Sequence, residues 1–317
     1  MVEFNGEQYV ARTPLYETGR GVKNRQFPTM TYISEKQIPG CNYYLEYGWI
    51  YGMPEPNPHI HEHTHDYDEV VLHLGGDWRR PQVLGGEIEF YIGGQPITFN
   101  TTTAVYIPAG VSHGPLIWKT YDFPHIQMAV MLGAGDIKKA WGKSGILKSK
   151  GKMPLKTDDI DYEQYVIRSP MREAPGAFSG RGRQSPTMTY MCGAQIPGVK
   201  YYIEFGWIWD VTETIDEMKH DKFDEIVLHI GSDPENPEDL GADMRVGLGG
   251  QCLEFNKNFG MFIPKGVSHG PLEWREVRRP HIEMAMMLGA GTLKEGWGFD
   301  ISEMAQRREA LKKKQKE

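Results

Sequence analysis

The sequence predicts an all-β protein built from two tandem barrels or sandwiches. Three observations carry that prediction: the chain repeats itself, its apolar runs have strand length, and Gly and Pro pairs punctuate them. The repeat runs almost end to end. Tyr9-Val-Ala-Arg-Thr-Pro14 returns as Tyr165-Val-Ile-Arg-Ser-Pro170, and Arg25-Gln-Phe-Pro-Thr-Met-Thr-Tyr32 as Arg183-Gln-Ser-Pro-Thr-Met-Thr-Tyr190. Tyr43-Tyr-Leu-Glu-Tyr-Gly-Trp-Ile50 matches Tyr201-Tyr-Ile-Glu-Phe-Gly-Trp-Ile208, and Asp68-Glu-Val-Val-Leu-His-Leu-Gly75 matches Asp224-Glu-Ile-Val-Leu-His-Ile-Gly231. Pro108-Ala-Gly-Val-Ser-His113 pairs with Pro264-Lys-Gly-Val-Ser-His269, and His125-Ile-Gln-Met-Ala-Val-Met-Leu132 with His281-Ile-Glu-Met-Ala-Met-Met-Leu288.

In chain order, the first copy offers strand-length runs at 43–50, 69–74, 87–92, 104–107, 114–118 and 125–132, each with a partner in the second copy. The copies meet near residues 136–164, where Lys, Gly and Asp replace apolar periodicity, which divides the chain into domains 1–150 and 151–317. Ser302 to Glu317 reads as a charged surface helix of weak amphipathicity. The Met-rich run 126–132 reads as core packing. Trp49, Trp118 and Trp141 recur as Trp207, Trp274 and Trp297 because the core recurs, some of them walling a pocket.

Composition bounds the function. At 317 residues, 39% hydrophobic and 24% charged, each copy is large enough to bury its own core. A formal net charge of −7 argues against a nucleic-acid partner, whose phosphates need a basic footprint, and Lys312 to Lys314 read as a solvated helix end. Cys41, Cys192 and Cys252 show no paired spacing, so a reduced compartment is expected. With no apolar run of signal-peptide or membrane-spanning length, the expectation is a cytoplasmic protein with no membrane partner.

The chemistry is concentrated in HIHEHTHDYDEVVLHLG, from His59 to Gly75. In an extended backbone His63 and His65 project on one side, and a carboxylate from the next strand can close the same pocket. A turn at Pro108 to Gly110 then delivers a further imidazole, His113. Imidazole with carboxylate suits Fe, Mn, Zn, Ni or Cu better than Mg or Ca. His61 and His63 have the same spacing, but five residues separate that pair from Glu69, so His59 and His61 read as neighbours of the site or surface residues.

His-x-His-x3-Glu followed by Pro-x-Gly-x2-His resembles the two signature motifs of the cupin superfamily. The resemblance covers nearly the whole chain and implies two tandem cupin barrels, double-stranded β-helix or jelly-roll domains with short peripheral helices. It implies that His63, His65, Glu69 and His113 hold one divalent transition metal, Mn, Fe, Zn or Ni. In the second copy Glu225 and His269 keep their places. His220 has the four-residue spacing of a cupin variant, and Met218 stands where the first histidine would be. That leaves a three-ligand second site at His220, Glu225 and His269, either a working one with open positions for substrate or a weak or structural one.

Strand alternation puts His73 on the face of Glu69, where it is either a proton carrier near the metal or a satisfied core histidine; His229 is its twin. Glu46 and its twin Glu204 sit mid-strand among aromatics, either facing solvent, the common state for Glu, or buried with a raised pKa fit for proton transfer. Tyr44 shares the face of Glu46 and is a candidate donor to a bound oxygen. His125 and His281 open a strand after a proline, at a pocket mouth or between subunits.

A barrel carrying such a site binds a small molecule. The expected class is redox-neutral metal catalysis on a small oxygen-rich carbonyl, enol or phenol-derived substrate: C–C bond hydrolysis, decarboxylation or isomerisation. An Fe(II) or Mn dioxygenase and a non-catalytic binder are the alternatives, since the fold does not choose among them. Barrel edges that pair make a homodimer the expected assembly.

Overall fold

The computed structural model describes residues 4–18, 21–141, 153–172 and 180–298. Two compact units divide the chain. In the first, Pro14–Ser169, a large antiparallel sheet runs in the order Val166–Ile167, Thr103–Ile107, Asp68–Gly75, His125–Leu132, Tyr43–Glu55 and Lys23–Arg25, with Met30–Ile33 also paired to Tyr43–Glu55. A smaller sheet joins Gln95–Thr101, Val83–Ile92 and His113–Trp118. Ile88, Phe90 and Leu116 of the small sheet share one buried cluster with Val71, Val105 and Ile107 of the large one, so the core lies between two sheets.

The second unit repeats this plan. Phe259–Ile263, Asp224–Gly231, His281–Leu288, Tyr201–Ile208 and Met188–Met191 form its large sheet, and Met218–Lys219, Ser268–Val277, Asp239–Leu248 and Gln251–Lys257 its small one. Sequence pattern accounts for the elements. Gln95–Thr101 alternates, with Ile97 and Phe99 buried between exposed neighbours, as a half-buried strand does. Asp68–Gly75 is buried from Glu69 onward, which is why it reads as a nearly unbroken apolar run. The expected strands are all present, and the all-β, two-barrel class is the one observed. Short strands at Lys23–Arg25 and Met30–Ile33, too brief to show a period, extend it.

Each unit is closed by a strand from the other sequence repeat. Val10–Ala11 pairs with Phe259–Ile263, Val10 opposite Met261, and Val166–Ile167 pairs with Thr103–Ile107, Val166 opposite Val105. The compact units are therefore Met1–Thr13 with Pro170–Glu317, and Pro14–Ser169, rather than the 1–150 and 151–317 blocks of the repeat. Both arms carry the same Tyr-Val-x-Arg-x-Pro stretch after a short 3-10 turn, at Gly6–Tyr9 and Tyr162–Tyr165, so the sequence does not say which edge each one joins.

Short helices at Ile137–Trp141 and Leu293–Trp297 follow the strands His125–Leu132 and His281–Leu288. The helix expected at Ser302 to Glu317 lies outside the described residues. No helix among the described residues is long and apolar enough to cross a membrane. Cys41, Cys192 and Cys252 are all free thiols.

Register decides what can meet inside the first barrel. Opposite residues of an antiparallel pair share a face, so the pairings form inward rows. Glu69, Met131 and Tyr44 make one row, Val71, Ala129 and Glu46 the next, and His73, Gln127 and Gly48 the third. A carboxylate, a second carboxylate and an amide thus occupy successive rungs of the same inner wall.

Candidate metal centre

His63 and His113 are locked together by a reciprocal backbone bridge: His63 N donates to His113 O and His113 N to His63 O, both at 2.9 Å. The bridge needs close approach of the two segments. Gly114, at φ +90°, permits it, because a Cβ there would lie 2.5 Å from the His61 carbonyl oxygen. The turn before it is held by Gly110 N donating to His65 O at 2.8 Å. Glu69 arrives from the neighbouring Asp68–Gly75 strand.

The four side chains converge. Each offers one ligand atom, the atoms lie within 4.8 Å of one another, and all four residues are buried. Donors ~2.1 Å from a common ion stand about 3 Å apart when adjacent and about 4.2 Å when opposite, so the cluster has nearly the span of a first coordination sphere. Glu69 Oε2 is 3.0 Å from Nε2 of both His65 and His113.

The other ring nitrogens fix how the imidazoles point. Nδ1–H of His63 donates to His61 O at 2.8 Å, that of His65 to Tyr67 O at 2.7 Å, and that of His113 to Val111 O at 3.0 Å. Backbone carbonyls only accept, so these bonds assign the proton to Nδ1 and turn Nε2 toward the centre, the arrangement that orients a metal-binding imidazole. Burial lowers the His63 pKa to about 4, with His113 adding to the effect and Glu69 opposing it, so this ligand is neutral at pH 7. Burial works against the Glu69 anion too, yet the His113 and His65 imidazoles facing its Oε2 hold its carboxyl well below the usual range. Three oriented imidazoles and one carboxylate are a fitting donor set for a divalent transition metal.

A cavity of about 360 Å³ opens onto this cluster. His63, Glu69 and His113 line it together with Glu46, Arg25, His59, Gln127 and Trp141; His65 stacks on Tyr67 with ring centroids 4.0 Å apart and does not line it. Glu46 is buried, and its Oε2 accepts from Thr29 at 3.1 Å and from Thr18. Burial raises its pKa, opposed by Thr18, Arg25 and Thr29 and reinforced by Glu69. Of the two states open to this strand glutamate, the buried one is observed.

The other sequence-chosen residues fall elsewhere. His73 is fully buried on the inner face but does not line the cavity; it packs on Phe99 and Trp118, and burial, with His125 and His59, drives its pKa far down. It sits one rung beyond Glu46, with Gln127 opposite it. Tyr44 is also fully buried and away from the cavity, its hydroxyl 2.9 Å from that of Thr31 and its pKa pushed up by burial and by Glu46. Met131 stands between it and Glu69 in their row. His125 is not at a pocket mouth: it is fully buried, accepts from Trp118 Nε1 at 3.0 Å, and burial lowers its pKa to about 4.

Sequence reasoning passed over Arg25, Gln127 and Thr29, and left His59 at the margin. The signal lay in the repeat itself. Arg25 and Thr29 recur as Arg183 and Thr187, polar residues kept beside a strand, while Gln127 faces a Glu283 in an otherwise nearly identical run.

In the second unit His220, Glu225 and His269 form the corresponding cluster, with Glu225 Oε2 3.0 Å from His269 Nε2 and 3.5 Å from His220 Nε2. Met218 is paired with His269 as His63 is with His113, and Gly266 N donates to His220 O as Gly110 N does to His65 O. Met218 is thus the structural replacement of the first histidine. Glu204 is clamped on both oxygens, accepting from Thr187 at 2.6 Å and from Trp297 Nε1 at 2.9 Å, and burial lifts its pKa to about 7. A carboxyl held above its unfolded value costs stability as pH rises from the ordinary carboxylate range to about 7, and the full cost remains above that. Glu204→Gln is expected to reduce the stability lost between pH 4.5 and pH 8 by about 1–3 kcal/mol in urea unfolding of metal-free protein. An unchanged difference between the two pH values would contradict this.

No protein-family model matches the chain, and no curated protein matches it. Solved structures do. AerE from Microcystis aeruginosa aligns with a TM-score of 0.52 at 11% identity over 89% of this chain and 99% of that one. The oxalate decarboxylase formate complex of Lactobacillus farciminis gives 0.54 at 11% identity over 88% and 90%. Vicilin from Corylus avellana, the hazelnut, gives 0.55 at 10% identity over 93% and 95%. Identities this low carry the fold and not the activity. Two sheet pairs built on one repeated plan, with the His and Glu cluster at its motif positions in the first, give this chain the two-domain cupin fold.

Proposed function

We propose that the protein is a metal-dependent enzyme acting on a small oxygen-rich carbonyl, enol or phenol-derived substrate by redox-neutral chemistry. One observation carries the reading: a buried carboxyl with a raised pKa, Glu46, lines the same cavity as the four-ligand cluster. A divalent ion held by His63, His65, Glu69 and His113 supplies Lewis acidity toward the substrate's oxygens. Glu46 gives or takes the proton, since a carboxyl moved upward toward neutrality is suited to both directions. Thr18 and Thr29 hold its Oε2, which fixes the carboxyl plane within the cavity wall. Trp141, Phe90 and Leu116 provide apolar lining that keeps bulk water from the reacting groups.

Protein prepared without added metal should retain stoichiometric Mn, Fe, Zn or Ni, and a screen of small keto, enol and phenolic acids should yield turnover that persists anaerobically. Failure to bind any of these metals removes the proposal, and turnover that consumes oxygen replaces it with a dioxygenase.

A further inference from the structure

Three side chains of the first cavity carry buried atoms with nothing to bond with. Arg25 Nε, both ring nitrogens of His59 and Gln127 Oε1 are shut off from solvent and lack a hydrogen-bond partner among the described residues. Gln127 lies beside His59 without meeting hydrogen-bond geometry. Buried polar atoms are ordinarily satisfied, so a cavity wall holding several orphans is short of a ligand.

The second unit shows what is missing. Arg183, the twin of Arg25, is ion-paired through Nη2 to Glu283 Oε2 at 2.6 Å, and Glu283 occupies the position of Gln127. Arg183 is buried and Glu283 is partly buried. The chain thus supplies a carboxylate opposite this arginine in one barrel and a neutral amide in the other. In the first barrel Arg25 makes no ion pair with any described carboxylate; Glu46 acts on it only through space. With a divalent ion at the cluster, the charges of Arg25 and the ion would exceed those of Glu69 and Glu46 together.

We propose that the first cavity binds its substrate through an anionic oxygen group, a carboxylate, seated on Arg25 between His59 and Gln127, and that Glu283 is the built-in counterpart of that group in the second barrel. This assignment rests on reading the cavity as a substrate site and adds the substrate's charge. His59 and Gln127 each offer a hydrogen-bond donor once turned to the ligand, so a carboxylate receives bonds from three side chains. Gln127 is neutral because the substrate brings the charge.

The test uses benzoate and its uncharged isostere benzamide as probes, titrated calorimetrically at pH 7 into metal-free and Mn-loaded full-length protein. Binding is read without turnover, so it is independent of the reaction proposed above and, in the metal-free arm, of metal binding. Benzoate is expected to bind the metal-free protein at least ~10-fold more tightly than benzamide. Gln127→Glu is expected to bring that ratio within about twofold, because the new carboxylate occupies Arg25 as Glu283 occupies Arg183. Arg25→Gln should do the same. Should that variant not fold, Gln127→Glu keeps the test intact, since the second barrel already accommodates such a pair. Equal binding of the two probes by the unaltered protein, or a preference for benzoate that survives Gln127→Glu, overturns the proposal.

Discussion

His113→Ala is expected to cut metal affinity of the first barrel by at least ~100-fold and to bring turnover to background. The loss is large because His113 is tied into the site twice. Its Nε2 faces Glu69, and its backbone bridges His63, so the imidazole is placed without freedom to be replaced by a neighbour. Removing it also takes away one of the two imidazoles that face the buried Glu69 carboxylate. His269→Ala is the paired experiment: metal lost there and kept in His113→Ala reports the occupancy of the three-ligand cluster. Elemental analysis with calorimetric titration reads both, and full metal content and turnover in His113→Ala would refute the assignment.

Glu46→Gln is expected to lower kcat by about 10²–10⁴-fold with metal content unchanged. Gln keeps the shape and one acceptor for Thr18 or Thr29, so the cavity wall persists while the proton carrier is gone. The pH profile supplies a second reading. Glu46 is held above the ordinary carboxylate range, so the limb of the rate profile that reports it lies above about 4.5, and it should vanish in the variant. If the group donates its proton, rate in the unaltered enzyme falls as pH rises through this limb; if it accepts one, rate climbs. Unchanged kcat in Glu46→Gln would assign proton transfer elsewhere.

The His and Glu cluster was legible because its residues obey local rules. His63 and His65 share a side by strand alternation, and His113 follows a Pro and Gly turn whose φ +82° at Gly110 the motif already anticipates. Glu46 was only half legible. Alternation placed Glu46 on a face but not at a depth, since the same pattern serves an exposed or a buried carboxylate. His73, Tyr44 and His125 show the limit of that logic. All three are fully buried, and the distance from each to the cluster depends on the register with neighbouring strands, which strand sequence does not state. Arg25 and Gln127 belong to segments far from the motif, and only cross-strand pairing brings them to one wall.

The exchanged arms bear on how the chain reaches its native state during synthesis. Val10 leaves the ribosome early, whereas its partner Met261 is made only after most of the chain has emerged. The N-terminal segment must therefore wait without a mate while the first barrel assembles, and that barrel in turn cannot seal before Val166 appears. A segment translated before the first barrel is thus placed after it, and a chain halted or cleaved between the repeats would present the open edges of Thr103–Ile107 or Phe259–Ile263 to whatever strand comes by.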